Sequence, residues 1–393
     1  MNKAELLSSD HFCIMPFVHA CVWPSGDAVP CCLSRDYIIG NTNTESLSDI
    51  YSSKNEKLNL LKQEMIIGPT LPKACSDCVF AESLHGGGSY RKSNNQTYGY
   101  LIYDLDLYND TRISLWDIRF NNLCNLKCRI CDGTSSTSIA AENKIFFKSE
   151  KPVLSTAISN ISEFTSFFLN YIDYLEEIYF CGGEPLIMPE HYALLDLLIE
   201  HKKFDTALRY NSNCTKIEFK RKNVLFDYWA KFKNIQLYAS IDGSYDRLSV
   251  MRHGSKWNEI KENLQAIRLH CPHIIIEWAP TVYVLNTFHI KEVYNELKDL
   301  IDEVYFNILT SPKQLSSTIL PLELKNNATE YLDNWILEID DYQLSNEIIK
   351  FKEYINSVDH SYLIPRFKYD MSIKDQNRNE STVTVFPELK LIL

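Results

Sequence analysis

The second part of the chain alternates between two kinds of segment, and this alternation leaves few folds open. Stretches with helical periodicity separate six short β-rich runs, at 113–119, 176–181, 207–211, 234–240, 273–282 and 303–309. The clearest helical stripe spans Trp257 to Ile267, with apolar residues at i, i+3 and i+7 spacing. Strands that alternate with helices form a parallel sheet with right-handed crossovers. We therefore expect an α/β fold, either an open sheet or a curved partial barrel, with functional loops at the carboxyl ends of the strands.

The segments before and after this alternating region lack its regular alternation of β-rich and helical stretches. Before residue 110 the chain is rich in turns, such as Pro24-Ser25-Gly26-Asp27, which predicts loops around small strands and one helix near residues 46–65. This segment should bury little and need a metal to stabilise it. The C-terminal part predicts one or two helices over Leu322–Ser357 and a polar tail. We predict an N-terminal Cys-rich domain at 1–108, an α/β domain at 109–312 and a helical C-terminal extension at 313–393.

Charge and hydropathy restrict the class of function. The 393 residues contain 40 Lys+Arg and 51 Asp+Glu, a net charge of -11 at pH 7, which argues against a broad nucleic-acid surface. No run approaches the roughly 20 apolar residues of a membrane span. The first residues also lack the apolar core of a signal peptide. We expect a cytoplasmic enzyme without a nucleic-acid or membrane partner.

The 12 cysteines fall into sets instead of being spread evenly. In a reducing compartment, clustered cysteines more often bind metal or perform chemistry than form disulfides. The sets are an N-terminal group, a triplet and three single residues, namely Cys13, Cys21, Cys31, Cys32, Cys75 and Cys78; Cys124, Cys128 and Cys131; and Cys181, Cys214 and Cys271.

The triplet has the spacing C-x3-C-x2-C and follows the first run of the alternating region. Three thiolates can ligate three irons of a 4Fe-4S cube, which leaves the fourth iron without a protein ligand. An open coordination position indicates chemistry rather than structure. A structural zinc ion is the alternative, but it would need a fourth ligand, and no His or Cys follows within the next dozen residues.

The triplet resembles the signature of the radical S-adenosylmethionine (radical SAM) superfamily, and further matches lie at later strand ends. The resemblance implies a partial (β/α)6 barrel. Gly182-Gly183-Glu184-Pro185 resembles the glycine-rich loop of the family, in which the backbone and Glu184 approach the methionyl ammonium of the cofactor. Arg252 resembles the arginine that pairs with the cofactor carboxylate. Further polar contacts to the ribose and carboxylate are implied for Ser212, Asn213, Ser240 and Asp242, and Asn286 is a weaker candidate for the adenine or ribose region.

The resemblance also implies the chemistry. The open iron would bind S-adenosylmethionine, and one electron from the reduced cluster would cleave it to methionine and a 5′-deoxyadenosyl radical that abstracts hydrogen from a substrate. A cytosolic reductant of the flavodoxin or ferredoxin type would supply the electron. The substrate would be a peptide in ribosomal peptide maturation, or a small metabolite such as a sugar.

The N-terminal cysteines are similar to those of SPASM and twitch domains, which hold auxiliary iron–sulfur clusters. Their number suits one auxiliary 4Fe-4S cluster with four thiolate ligands, for which we predict Cys13, Cys31, Cys75 and Cys78. Cys32 is an alternative to Cys31, because spacing does not separate the two. A structural zinc site with the same thiolates is the competing interpretation.

Two features stay outside these sites. Cys181 and Cys214 lie at strand ends, where they are either small buried residues or hydrogen-atom donors to a substrate radical. The tail sequence Lys374-Asp375-Gln376-Asn377-Arg378 is expected to be a solvated charged segment. It also resembles a tail of twitch-containing relatives, and the alternative that this resemblance implies is that the tail lines the open side of the barrel. The alternative to an enzyme is a non-enzymatic iron–sulfur or zinc module that carries electrons, and such a carrier has no need of a sulfonium pocket.

Overall fold

The computed structural model describes residues 2–83, 88–108 and 112–393. The described chain divides into two compact units, which consist of Met1–Asn122, Leu154–Gly183 and Met188–Leu208, and of Leu123–Val153, Glu184–Ile187 and Arg209–Leu393. The expected domain boundary after residue 108 adjoins residues 109–111, which lie outside the described residues. The three sequence-based domain ranges therefore remain a prediction.

The described strands, numbered β1 to β15 in chain order, are short. They are His19–Val22, Asp27–Val29, Gly40–Asn41, Leu115–Ile118, Lys127–Cys128, Glu177–Phe180, Ala207–Ser212, Glu218–Phe219, Lys222–Asn223, Ile235–Ala239, Arg252–His253, Ile275–Trp278, Thr281–Val282, Glu303–Val304 and Asn307–Ile308. All six predicted runs contain strands. Two of the runs are each divided into two strands, and in 273–282 the division falls at Pro280, which has no N–H to donate.

The described α-helices, numbered α1 to α16, connect and cover these strands. They are Lys3–Leu7, Met15–Val18, Leu47–Ile50, Glu56–Ile67, Ser76–Ser83, Tyr90–Tyr98, Thr137–Phe146, Ile161–Leu169, Pro189–Glu200, Tyr245–Met251, Trp257–His270, Ile290–Leu297, Leu322–Glu338, Tyr342–Ser357, Ile364–Arg378 and Thr382–Val385. The predicted stripe from Trp257 is the buried face of α11. Near 46–65 the structure has two helices, α3 and α4, where the sequence predicted one.

In the first unit, the N-terminal strands join the parallel strands in one sheet. Strand β1 pairs in parallel with β4, which pairs in parallel with β6. Strands β2 and β3 continue the sheet beyond β1 in antiparallel pairing. The register places Cys21 beside Asp117, and Asp117 beside Tyr179. Because side chains alternate along a strand, these three residues share one face of the sheet.

The opposite face of this sheet packs on helix α8. Trp116 of β4 lies with its ring centre 4.8 Å from that of Phe168 and 6.0 Å from those of Phe164 and Phe167. Trp116 is 1% exposed. Aromatic rings at these separations add to the stabilisation that burial of apolar area provides.

The N-terminal region contains an apolar core of its own, so the expectation that it buries little is wrong. The core includes Phe12, Ile14, Phe17, Leu61 and Met65, all nearly inaccessible. Helix α4 supplies the last two, and α2 supplies Phe17. Apolar burial therefore contributes to folding here independently of any metal.

In the second unit, three strands pair in parallel in the order β10, β12 and β14. The end of β7 lies beside β10, because the amide of Ser240 donates to the carbonyl of Ser212 at 2.8 Å. Strand β5 carries Cys128 and pairs in antiparallel register with β11, where Cys128 faces Arg252. The strand ends of this unit and the cysteine loop are thereby adjacent.

The C-terminal part continues as a helix beyond the point where the sequence predicted a tail. Helices α13 and α14 match the predicted helical region, but α15 then runs from Ile364 to Arg378. Its side chains contact the cysteine loop, as described below, so the expectation of a solvated charged segment is wrong. The apolar residues Phe367 and Met371 are buried on this helix, and they give it a packing face that its high charge obscures in the sequence.

Replacement of Trp116 tests the packing of the first unit. We expect Trp116→Ala to lower the free energy of unfolding by about 3–5 kcal/mol, because it removes a fully buried indole and leaves a cavity. Urea unfolding followed by circular dichroism measures this change. The control is Phe80→Ala, because Phe80 is 67% exposed and should change stability by less than about 0.5 kcal/mol. Equal effects of the two substitutions would contradict the described packing.

Candidate active site

The cysteine triplet lies in a loop whose carbonyl groups are tied to the start of helix α7. The hydroxyl of Ser138 donates to the carbonyl of Cys124 at 2.7 Å, and that of Ser136 donates to the carbonyl of Leu126 at 2.7 Å. At the other end of the loop, the amide of Cys131 donates to the carbonyl of Cys128 at 3.2 Å. Hydrogen bonds to the backbone carbonyl groups therefore fix the loop, and none of them uses a thiol group.

The three thiols of this loop interact with one another. The thiols of Cys128 and Cys131 are hydrogen-bonded to each other, and this bond lowers the pKa of Cys128 and raises the pKa of Cys131. Burial raises the pKa of Cys124 to about 12. The guanidinium Nη1 of Arg252 lies 3.9 Å from the Sγ atom of Cys128. The loop thus combines buried and half-buried sulfurs, which need positive charge to ionise, with the cation of Arg252 beside Cys128.

The glycine-rich sequence begins with a residue whose conformation requires glycine. Gly182 has a φ angle of +111°. A Cβ atom at this position would lie 3.1 Å from the carbonyl oxygen of Asn121 and 3.2 Å from the Cβ of Arg119. Gly183 donates its amide to the same Asn121 carbonyl at 3.4 Å. A side chain at residue 182 would therefore be strained and crowded.

Glu184 is buried at the ends of two strands. Its carboxylate accepts hydrogen bonds from the hydroxyl of Ser212 at 2.8 Å, the amide of Asn213 at 2.7 Å and the amide of Leu186 at 3.3 Å. Its own amide donates to the carbonyl of Leu123, in the cysteine loop, at 2.7 Å. Burial raises the pKa of Glu184 to about 7. A cationic group beside this carboxylate would be strongly favoured in so buried a position.

Asp242 and Arg252 form a buried ion pair. The Nε and Nη2 atoms of Arg252 donate to the two carboxylate oxygens of Asp242 at 2.7 and 2.9 Å. Asp242 also accepts from the amide of Thr281 at 2.8 Å. The sequence suggested that these two side chains contact a cofactor separately. The structure pairs them, and it directs the remaining Nη1 of Arg252 to Cys128.

The other predicted cofactor residues lie close to this pair and to Glu184. Ser240 is next to Ser212 through their backbone hydrogen bond. The amide side chain of Asn213 contacts Asn125 of the cysteine loop at 3.1 Å. The weak candidate Asn286 is fully buried, and its side chain makes three hydrogen bonds to backbone groups of Asp242, Thr281 and Tyr283. Asn286 therefore supports the Asp242 strand end.

Four of the N-terminal cysteines line one cavity of the first unit. This cavity is bordered by Cys13, Cys31, Cys75 and Cys78, together with Tyr90 and Arg91. Burial raises the pKa of Cys13 and of Cys75 to about 12. Arg91 holds two of the surrounding segments, since its side chain donates to the Phe12 carbonyl at 3.0 Å and forms an ion pair with Glu82 at 2.7 Å. Four thiols around one cavity suit a four-thiolate cluster.

Cys32 does not line this cavity. Its thiol hydrogen-bonds to that of Cys31, and this contact lowers the pKa of Cys32 and raises that of Cys31. Cys32 also interacts electrostatically with Asp117 and Arg119. Of the two neighbouring cysteines that spacing did not separate, Cys31 lines the cavity and Cys32 lies near Asp117 and Arg119.

A further polar group on the β1–β4–β6 face was missed by the sequence reasoning. Asp117 accepts hydrogen bonds from the thiols of Cys21 at 3.4 Å and Cys181 at 3.0 Å, and from Arg119 at 3.1 Å. Arg119 in turn stacks on Trp23, with 3.5 Å between the guanidinium carbon and the ring centre. The sequence feature that could have indicated this group is the pair of opposite charges, Asp117 and Arg119, two residues apart in an otherwise apolar run.

No three His, Cys, Asp or Glu side chains in residues 2–83, 88–108 and 112–393 form a group close enough to hold a single metal ion.

Comparison with known proteins identifies the class. The family model described as an iron-sulfur cluster-binding domain (SPASM) matches residues 13–79, and the model of the radical SAM superfamily matches residues 118–304. The chain therefore contains a radical SAM domain that is preceded by a SPASM domain, the domain pair of a SPASM-type radical SAM member. Its radical SAM domain implies a 4Fe-4S cluster and S-adenosylmethionine, and its SPASM domain implies auxiliary iron–sulfur chemistry. The expected α/β fold class with a helical C-terminal region is confirmed.

The solved structures that match this chain include SuiB of Streptococcus suis. The crystal structure of SuiB bound to S-adenosylmethionine is 15% identical, with a TM-score of 0.39, and the match covers 72% of this chain and 60% of that one. SuiB bound to precursor peptide SuiA gives 15% identity, a TM-score of 0.38 and the same coverage. The structure of TYW1 with a lysine-pyruvate adduct bound is 13% identical, with a TM-score of 0.30 and coverage of 56% of this chain and 71% of that one.

Two further searches gave negative results, one among curated proteins and one for membrane-spanning helices. No curated protein matches this sequence. Within the described residues, none of the helices has both the length and the apolar character that crossing a membrane requires.

The raised pKa of Glu184 predicts a pH dependence of stability. Because its folded-state pKa is about 7 and its ordinary value is 4.5, the folded protein favours the protonated carboxyl. Deprotonation therefore costs folding free energy as pH rises from about 4.5 to 7. We expect the metal-free protein to lose about 2–4 kcal/mol of stability over this range relative to Glu184→Gln.

Urea unfolding at several pH values measures this difference. Glu259→Gln is the control, since the Glu259 side chain is 41% exposed and its hydrogen bond with Lys256 lowers its pKa from the ordinary value instead of raising it. Parallel pH curves for the wild type and Glu184→Gln would contradict the assigned burial of this carboxyl group.

Proposed function

We propose that this radical SAM protein is a peptide-modifying enzyme whose SAM-binding cluster is held by Cys124, Cys128 and Cys131. The observation that carries the proposal is the grouping of three loop sulfurs with two buried polar pairs of the second unit. One pair is Glu184 with Ser212, and the other is Asp242 with Arg252. An electron carrier would need only the sulfurs, whereas both polar pairs suit an amino acid cofactor with an ammonium and a carboxylate group.

When bound, the cluster and S-adenosylmethionine supply a 5′-deoxyadenosyl radical that abstracts hydrogen from the substrate. The chain provides the surroundings for that chemistry. Glu184 would accept the methionyl ammonium, because its buried carboxylate gains from a cationic partner. Arg252 would hold positive charge beside Cys128 and face the cofactor carboxylate with its free edge. Ser240 and Asn213 would contact the ribose.

For the N-terminal domain we propose one auxiliary 4Fe-4S cluster of the twitch type, with Cys13, Cys31, Cys75 and Cys78 as ligands. The lining of the cavity by these four cysteines supports the choice of Cys31 over Cys32. Full ligation suits an electron relay or acceptor, because no iron is then left for substrate. Cys32 would remain with the Asp117 group.

The proposed substrate is a peptide, and the SPASM match at residues 13–79 supports this class, since the resemblance is to enzymes of ribosomal peptide maturation. The net charge of -11 supports a substrate other than RNA. We further propose a cytoplasmic location and a flavodoxin- or ferredoxin-type reductant. Incubation with short peptides encoded beside the gene, followed by mass spectrometry, tests the substrate class. A mass change that needs S-adenosylmethionine and reductant supports it, and modification of a sugar instead would refute it.

Combined replacement of Cys124, Cys128 and Cys131 by Ala tests the assignment of the cofactor site. We expect anaerobically reconstituted variant protein to retain about half of the iron, because the auxiliary cluster has its own ligands. Release of 5′-deoxyadenosine with dithionite and S-adenosylmethionine should fall to background.

The control for this experiment is Cys271→Ala, outside both cysteine sets, which should retain iron and activity. Loss of all iron from the triple variant would show that the two sites are not independent. Continued release of 5′-deoxyadenosine would refute the ligand assignment.

A further inference from the structure

Two cations from helix α15 bind the backbone of the cysteine loop. The Nζ atom of Lys374 donates to the carbonyl of Arg129 at 2.6 Å, and Nη1 of Arg378 donates to the carbonyl of Lys127 at 2.9 Å. These two carbonyl groups belong to the residues directly before and after Cys128. Helix α15 therefore binds the loop backbone on both sides of the Cys128 sulfur.

The side chain of Arg129 attaches the loop to the same C-terminal segment. It has no exposed surface, and its Nη2 atom donates to Asp375 at 2.5 Å and to Glu380 at 2.6 Å. Its Nε atom donates to the carbonyl of Val250 at 2.9 Å. Because each charged group meets an opposite charge or a carbonyl, the buried arrangement avoids the cost of an unpaired ion.

Arg378 makes a second connection. Its Nε and Nη2 atoms donate to the two carboxylate oxygens of Glu142, on helix α7, at 3.0 and 2.7 Å. The side chains of Arg378 and Glu142 are 1% and 7% exposed. Such a bidentate pair fixes orientation as well as distance. The segment that the sequence suggested to be solvated is thus one wall of the cysteine loop.

The positive charges of this wall act on the sulfur they surround. Nζ of Lys374 and Nη1 of Arg378 lie on the carbonyl groups of the two residues that flank Cys128. A fixed positive charge favours negative charge that is added beside it. Reduction of a cluster adds one negative charge, so the same cations favour the reduced state.

We propose that Lys374 and Arg378 are positioning residues that clamp the cysteine loop around Cys128 and raise the reduction potential of the cluster held there. This inference rests on the proposed function of Cys124, Cys128 and Cys131. The two residues act through the loop backbone and through their charge, and they touch neither substrate nor the reacting atoms.

The test compares Lys374→Gln and Arg378→Gln with the wild type. Lys368→Gln is the matched control, because Lys368 is exposed on the same helix. Arg378→Lys serves as the charge-conserving variant. All proteins are reconstituted anaerobically, iron is counted per chain, and the cluster whose EPR signal changes on addition of S-adenosylmethionine is titrated with redox mediators. The titration is made at pH 7, below the value of about 8 to which burial lowers the pKa of Lys374.

We expect the ratio of reduced to oxidised cluster at a fixed potential to fall about tenfold in each Gln variant, which is about 59 mV for one electron. Arg378→Lys should recover most of this loss, and Lys368→Gln should match the wild type. An unchanged potential at full iron content would overturn the proposed role of the charges.

A second measurement needs no cluster. In the metal-free proteins, hydrogen exchange of the peptide that contains residues 124–131 should be about tenfold faster in the two Gln variants than in Lys368→Gln, because the clamp is released. Unchanged exchange would overturn the clamp, whether or not the variants bind iron. Faster exchange with no iron bound would support it.

The wild-type protein separates the two proposals. If the wild type assembles no cluster that responds to S-adenosylmethionine, the proposed function fails, and hydrogen exchange alone then decides whether the clamp exists.

Discussion

Burial of negative charge is the constraint on which the candidate site depends. Cys128, Glu184 and Asp242 are buried and Cys124 and Cys131 are half-buried, and a buried anion without a partner costs several kcal/mol. The structure meets this constraint for Asp242 with Arg252, and for Glu184 with hydrogen bonds and a smaller effect of the Arg252 charge. The thiol of Cys124 remains protonated in the metal-free protein because burial raises its pKa to about 12. Iron supplies the missing positive charge, so cluster assembly must release protons.

Backbone hydrogen bonds give this site its geometry. Ser136 and Ser138 hold the carbonyl groups of the cysteine loop, and Asn213 and Leu186 direct their amides at Glu184. Groups fixed in this way need no reorganisation when a ligand binds, which is the advantage of a preorganised polar site. Part of the hydrogen-bonding capacity of these side chains is used within the chain, since Ser212 donates to Glu184 and Asp242 pairs with Arg252. A ligand carboxylate at Arg252 has to use the edge that Asp242 leaves open.

Much of this arrangement was predictable from local sequence. Strand and helix periodicity located all six parallel runs, and the spacing of Cys124, Cys128 and Cys131 identified the loop. Glycine at position 182 was a recognisable signal because few other residues adopt a φ of +111°. The division of Cys31 from Cys32 was not predictable, because neighbouring residues in a loop have no fixed period. The same holds for the pairing of β1 with β4, which joins segments separated by almost a hundred residues.

The C-terminal contacts show most clearly where sequence reasoning ends. A run such as Lys374 to Arg378 has the composition of a solvated surface, and composition carries no information about a partner 246 positions away, the separation of Arg129 from Asp375. Contacts of such long range form only when the intervening chain is folded, since closing the loop costs entropy before any contact forms. The cysteine loop thus receives its charged surroundings from two distant segments, one at Arg252 and one at Lys374–Glu380. Ordering of the loop is consequently coupled to folding of the whole second unit, and the environment of Cys128 is complete only when the last helices are in place.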